Sequence, residues 1–459
     1  MDWVLSGLAA VTREVLLFAA FGFLVGGIDD LFVDVLYLCG RLTGRGGRLA
    51  LDGLAPPDRA VRIAVFVPAW DEVSVIGRML EAALGSIEHP DYRIYVGTYP
   101  NDPGTIDAVA SVAARDDRVR LVVGERDGPT TKGDNLNALW RALRADDARI
   151  GIATCAVVLH DAEDVIHPAE LRVFDSLLAR HAVVQLPVHP LIRPEAHWVS
   201  GTYADEFAEA HGKLLVVRAA LGAGLPLAGV GCAIRHDALE ALERERGGAP
   251  FDPGSLVEDY EIGLHLAQLG FTGCLARVAE RSNGPLVATR AYFPDELDAA
   301  VRQKARWMTG IALAGWDRTG WARPLAIFDH WMRARDRRAP LAVIVLAAAY
   351  LGLLLWALSG AAYWIAGVPT PVIDPVLGRV LALNMALLGW RLAWRVAFTT
   401  RNYGWREGAR SVPRLVVGNI IALLAVRRAA WRYWAMLRGS APVWDKTAHR
   451  FPESAAPAE

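Results

Sequence analysis

Between Leu341 and Val368 the chain carries no charged side chain. A run of that length exceeds the ~20 apolar residues needed to cross a hydrocarbon core as a helix, so part of this chain is expected in a membrane. A short turn through Pro369–Pro375 follows, then a second apolar helix over about Val376–Phe398. Arg391 and Arg395 lie four apart on one face of that helix, where long side chains reach the headgroups. At the other end of the chain an apolar segment runs from Val15 to Leu38 without the basic start and small-residue cleavage site of a secretory signal. Its aspartates, Asp29, Asp30 and Asp34, belong at the cytoplasmic interface or against protein, since a mid-membrane carboxylate costs about 2.5–3.5 kcal/mol. The simplest role for them is pairing with nearby arginines.

The loop after the second apolar helix holds Arg401, Arg406, Arg410 and Arg414, which places it in the cytoplasm by the positive-inside rule. Two crossings separate that loop from residue 340, so the central region shares its side. Leu415–Val426 is a short apolar run between Pro413 and Arg427, read as re-entrant or interfacial. The expected organisation is therefore a membrane helix over 1–40, a cytoplasmic domain over 41–315, an interfacial helix over 316–340, a C-terminal membrane region over 341–440 and a tail over 441–459. With 49 basic and 50 acidic side chains the net charge is −1, which offers no case for a nucleic-acid partner. Four cysteines without a C-x-x-C pair exclude a cysteine zinc site and a disulfide framework.

The central region alternates short apolar strands with helices. Strands are predicted over Ile63–Val67, Arg93–Gly97, Arg120–Val123, Ala156–His160 and Ala182–Leu186, and helices over Val73–Leu84, Ile106–Ala114, Asn135–Leu143 and Ala169–Leu178. This pattern predicts an α/β fold with a mostly parallel sheet and helices on both faces. Ligands of such sheets bind beyond the C-terminal strand ends, and the polar motifs fall there. His160-Asp161-Ala162-Glu163-Asp164 follows a buried strand, and its carboxylates suit a hard divalent cation or a helix cap. Val257-Glu258-Asp259-Tyr260-Glu261 opens a helix, either to favour its dipole or to supply a general base. Gln303-Lys304-Ala305-Arg306-Trp307 alone is a basic amphipathic helix, and Lys132-Gly133 before a helix could meet phosphate.

As an ordered set these motifs resemble the inverting family 2 glycosyltransferases, in particular their membrane-bound synthase branch, over roughly residues 61–310. Val67 to Glu72 resembles the first-strand motif of that family, and Asn101-Asp102 lies where an aspartate usually contacts the base. Asp161-Ala162-Glu163 takes the place of D-x-D, Glu258-Asp259 that of T-E-D, and Gln303 to Trp307 that of Q-x-x-R-W. The segments His160–Pro168, Tyr203–His211, Ala228–Cys232 and Trp444–His449 are similar to the catalytic part of the bacterial phage-adsorption protein B family. Longer members of that family add a cytoplasmic domain, so regulation through one is not expected of this sequence. Two departures are Glu163 at the last D-x-D position and Val257 in place of the threonine of T-E-D.

The resemblance implies a GT-A-like (Rossmann-like) fold in the bacterial inner membrane. It implies inverting transfer of a hexose or N-acetylhexosamine from a UDP-sugar to a growing glycan or lipid-linked acceptor. The Q-x-x-R-W match favours a processive polysaccharide synthase, the family branch suggests an acetamido-hexose donor, and the small number of spanning helices calls for self-association or an export partner to complete a channel. Glu72 and Asp102 would hold the nucleoside, Lys132 the diphosphate, and Asp161 with Glu163 a Mg²⁺ or Mn²⁺ ion. Asp259 would be the general base, with Arg306, Gln303 and Trp307 completing the catalytic set. The alternatives are a transferase acting on a polyprenyl phosphate and a non-catalytic membrane receptor or scaffold. A transporter is disfavoured, since about three crossings are too few to frame a midplane site.

Overall fold

The computed structural model describes residues 2–44, 49–54, 61–282, 284–440 and 450–452, so the Trp444–His449 segment lies outside the described residues. The central sheet grows from β-branched runs that are buried on both faces, the pattern of a covered parallel sheet. Strands β1 (Ile63–Pro68), β2 (Tyr92–Thr98), β3 (Val119–Val123) and β4 (Ala156–Leu159) alternate with helices α2 (Ile76–Ser86), α3 (Pro103–Ala113) and α4 (Lys132–Ile150), after the N-terminal helix α1 (Asp2–Leu42). Next come α5 (Glu170–Leu178), β5 (Val183–Gln185), β6 (Val188–Leu191) and α6 (Ser200–Glu209). Helix α6 continues through one π turn into Leu215–Ala220.

The remainder of the domain is β7 (Cys232–Arg235), α7 (His236–Arg246), α8 (Glu258–Gln268), β8 (Gly273–Leu275), β9 (Thr289–Tyr292) and α9 (Leu297–Trp307). The seven-stranded order is β3-β2-β1-β4-β7-β5-β8. Neighbours β3, β2, β1 and β4 run parallel, while β7 runs antiparallel between β4 and β5. The sheet is thus mixed at its centre, as expected in outline, with one reversed strand that the sequence pattern did not indicate. Along β1 the faces alternate strictly. Ile63, Val65 and Val67 join the core under α2, α3 and α5. Ala64 and Phe66 join the core under α4, α7 and α8. Strands β6 and β9 pair separately in parallel, Val188 opposite Thr289.

Helices extend past their predicted ends where caps, not apolar spacing, set the boundary. Helix α4 starts at Lys132 because the Thr131 hydroxyl accepts the Asp134 amide at 3.3 Å. Helix α3 starts at Pro103 because the Asp102 carboxylate accepts the Thr105 amide at 3.2 Å. The segment expected as one helix over 316–340 is instead Gly315–Thr319 and α10 (Ile327–Arg337). Pro324 lies between them, where it cannot donate a helical hydrogen bond.

Three further long helices follow: α11 (Ala339–Ile365), α12 (Pro375–Tyr403) and α13 (Trp405–Leu437). With α1 these are the four helices long and apolar enough to cross a membrane among the described residues. The apolar run expected to begin after Pro413 belongs to one unbroken helix that passes through that proline. Gly22 faces Val345 and Gly352 faces Leu16, so α11 runs antiparallel to α1. The Asn384 amide reaches the Ala20 carbonyl at 2.8 Å, and Trp390 reaches Asp34 at 2.8 Å, so α12 runs parallel to it. The aspartates of α1 do pair as expected. Asp30 meets Arg335, Arg338 and Arg391 at 2.9, 2.5 and 3.1 Å, and Asp29 also meets Arg335 and Arg338. Asp34 takes a lysine instead, Lys213 at 2.5 Å.

Candidate active site

One strand-end loop, the first turns of two helices and the face of a third converge on a single pocket. Its walls include Thr131, Lys132, Asp161, Glu163, Glu258, Asp259, Gln303, Arg306 and Trp307. Asp161 and Glu163 leave the C-terminal end of β4, and Glu258 with Asp259 form the first turn of α8. On α9, Gln303, Arg306 and Trp307 fall at i, i+3 and i+4, which puts all three on one helical face. The Asp259 carboxylate packs against Gly229, whose φ of 75° and missing Cβ let the backbone approach it.

Lys132 bridges the two acidic motifs. Its Nζ lies 2.5 Å from Asp161 and 3.9 Å from Glu258. Burial alone would depress its pKa, but Asp161, Glu258 and Asp259 together raise it, so it stays charged. Burial and repulsion from Asp259 push Glu258 up to about 7, against the pull of Lys132. Burial likewise raises Asp259, opposed by Lys132 and Arg306. Its Oδ1 accepts the Tyr260 amide at 2.7 Å.

The pocket holds Asp161, Glu163, Glu258 and Asp259 against Lys132 and Arg306. An acid-rich cavity of this kind would repel a diphosphate unless a further cation entered with it. Asp161 and Glu163 offer the hard oxygen donors that Mg²⁺ or Mn²⁺ takes, with substrate phosphates supplying other positions. Among the described residues no group of three His, Cys, Asp or Glu side chains is set to hold a metal alone. Asp161 and Glu163 would supply two of the oxygen donors that such a cation needs.

A support beneath this loop was not read from the sequence. His160 is fully buried, its Nδ1 2.8 Å from Asp164 and its Nε2 2.6 Å from Glu170. Against the cost of burial, the two carboxylates raise His160 to about 10, so it is an imidazolium. Asp164 also accepts the Asp161 amide at 2.9 Å. It does not cap α5, which begins at Glu170 with no side-chain cap. The only sequence signal was a histidine flanked by acids at i+4 and i+10.

Trp307 sits in an aromatic cluster with Tyr203, Phe207 and Phe293, and Lys304 stands 5.1 Å over its ring. Phe207 and Phe293 also line the pocket. Glu72 and Asp102 do not. The Asp102 carboxylate accepts the Asp71 amide at 2.6 Å and caps α3, and the Glu72 amide is bonded to Thr105 at 2.9 Å. Those two sit together at the ends of β1 and β2, apart from the other seven predicted residues.

Residues 59–310 match the family described as glycosyltransferase like family 2. The chain belongs to that family. Two curated members of similar sequence are bacteriophage adsorption protein B of Escherichia coli K12 and bacteriophage N4 adsorption protein B of Escherichia coli O157:H7. Each is 37% identical across 98% of this chain. The chain spans 64% of the length of those relatives. Among solved structures the fold is similar to mannosyltransferase PcManGT from Pyrobaculum calidifontis, which was solved in complex with GDP-Man and Mn²⁺. That likeness has a TM-score of 0.52 at 18% identity, covering 86% of this chain and 99% of that one. It is a likeness of fold, and this family 2 glycosyltransferase shares the GT-A-like sheet.

Proposed function

We propose that this glycosyltransferase is membrane-bound and moves a sugar, with inversion, from a UDP-sugar to a glycan acceptor. The observation that carries the reading is the convergence of Lys132, Asp161, Asp259, Arg306 and Trp307 on one pocket. Asp259 takes the proton from the acceptor hydroxyl, its raised pKa making it a better base than an exposed aspartate. The hydroxyl oxygen then attacks the anomeric carbon from the face opposite the leaving diphosphate, and the carbon–oxygen bond to that diphosphate breaks. Lys132 and Arg306 stabilise the charge that develops on it. Trp307 with Phe207 and Phe293 forms the apolar wall on which an acceptor sugar stacks. Asp161 and Glu163 would hold a Mg²⁺ or Mn²⁺ ion, which when bound neutralises diphosphate charge. Glu72 and Asp102 form the nucleoside end of the site, reached across the strand ends.

Helices α1, α11 and α12 cross the inner membrane, leaving the catalytic domain in the cytoplasm. Helix α13 lies along the membrane surface despite its length. Near its start Arg414 meets Asp205 at 3.2 Å, and near its end the Tyr433 hydroxyl meets Asp317 at 3.3 Å. The first contact is to the catalytic domain and the second to the short helix just after it, about 28 Å apart along α13 at 1.5 Å per residue. A helix pinned at both places cannot leave for the far side. Its outward residues Val412, Val416, Ile420 and Leu424 face lipid.

The test is UDP release by the purified chain with Mg²⁺ or Mn²⁺ across a panel of UDP-sugars, with GDP-mannose included. Turnover with one UDP-sugar, lost in Asp259→Asn, is the expected result. Turnover only with GDP-mannose would overturn the donor class. No release with any donor from folded protein would favour a non-catalytic receptor.

A further inference from the structure

A second cavity, of about 400 Å³, opens beside the catalytic pocket and shares Val188 and Phe207 with it. It is walled by β6, α6, Arg277, Glu280, Pro285 and Arg290, and the C-terminal end of α12 at Phe398 and Arg401. Its charges are one-sided. Three guanidiniums face it, those of Arg277, Arg290 and Arg401. The carboxylate facing it is Glu280, which is taken by His167 at 2.9 Å. Glu280 also acts on Arg290 through space, but among the described residues neither Arg290 nor Arg401 makes an ion pair. Arg277 is hydrogen-bonded to Tyr37 of α1, and Arg41 is a further cation beside it.

The two remaining histidines do not add to this charge but can donate to a ligand. Burial, with Arg290 nearby, holds His189 down at about 4, and burial alone holds His211 at about 4. The His211 Nδ1 accepts the Val188 amide at 3.2 Å, which leaves its Nε2 to carry the proton. Like charges gathered in a half-buried cavity raise the energy of the folded state unless a counter-ion joins them. Guanidinium forks converging from several elements match a tetrahedral oxyanion with several acceptor oxygens better than a flat carboxylate.

We propose that this second chamber binds a phosphate group. The cytoplasmic ends of α1 and α12 border it, so the phosphate is carried either by a membrane-lipid headgroup or by a soluble phosphate compound. Binding there is independent of the transferase chemistry.

The full chain in neutral detergent would be probed with two compounds. Retention of phosphatidylglycerol against phosphatidylcholine is read by native mass spectrometry, and inorganic phosphate by thermal shift. Wild-type protein is expected to bind at least one probe saturably, and the Arg290→Gln/Arg401→Gln variant to bind it at least tenfold more weakly. Phosphatidylglycerol alone would assign the lipid source, and inorganic phosphate alone the soluble one. Binding of neither, or binding unchanged in the double variant, overturns the proposal. Arg401 stands exposed at a helix end, so Arg401→Gln alone keeps the fold and carries the same readout should the double variant fail. In phosphate-free detergent Arg401→Gln should melt no lower than wild type, because it removes one of the crowded charges.

Discussion

Asp259 and Glu258 are adjacent carboxylates in one buried pocket, held apart in role by what surrounds each. The Asp259→Asn variant should keep its fold and lose at least about 10²-fold in turnover, the low end for a general base, as measured by UDP release. Glu258 titrates near 7 in the folded chain, above the ordinary 4.5. Between those values the folded state binds more protons than the unfolded one, so this group's stabilisation is present at low pH and lost as pH rises through 7. Glu258→Gln should therefore raise the melting temperature relative to wild type at pH 8, and by less at pH 5. A gap that shrinks with rising pH would contradict the assignment. His160 presents the opposite case, a buried cation between Asp164 and Glu170. Replacing it with leucine leaves two carboxylates without their counter-charge and should cost about 3–5 kcal/mol, read by chemical denaturation.

Among the elements, α4 shows why the lysine-glycine pair of its first turn works as a unit. A Cβ on Gly133 would stand 2.7 Å from the Asp252 carbonyl oxygen, a backbone atom that cannot swing away. Close seating of that turn is what delivers the Lys132 ammonium to Asp161. Gly133→Ala should destabilise the chain by about 1–3 kcal/mol, as overpacking does, and lower turnover with it. Wild-type melting and turnover in that variant would remove the argument. The β5–β7–β8 half of the sheet shows what apolar spacing alone does not reveal. Cys232–Arg235 is too short to announce a direction, and its antiparallel place between β4 and β5 follows from long-range pairing.

For the whole molecule, the catalytic domain and the membrane helices are tied by charge at one level. Asp29 and Asp30 of α1 hold Arg335 and Arg338 at the junction of α10 and α11. These groups are only partly exposed, with Arg335 side-chain exposure at 11% and Asp30 at 14%. An Asp29→Asn/Asp30→Asn variant should melt lower in detergent and become more open to proteolysis near residues 320–326. Unchanged melting and cleavage would show that packing along α1 and α11 suffices by itself.

The membrane runs, the strand and helix alternation, and seven residues of the pocket were legible in the order of the amino acids. Each is written locally: an uncharged stretch, a period of two or 3.6, or an acidic pair at a strand end. The helix face bearing Gln303, Arg306 and Trp307 is of this kind, since i, i+3 and i+4 spacing needs no partner to define it. The burial of His160, the capping role of Asp102, the reversed strand and the cationic chamber were decided only by the tertiary structure. So were the contacts of α13, whose composition suits a spanning helix while its Arg414 and Tyr433 meet Asp205 and Asp317. In each of these the deciding partner lies far away in the chain, and local sequence carries no record of a distance that only folding closes.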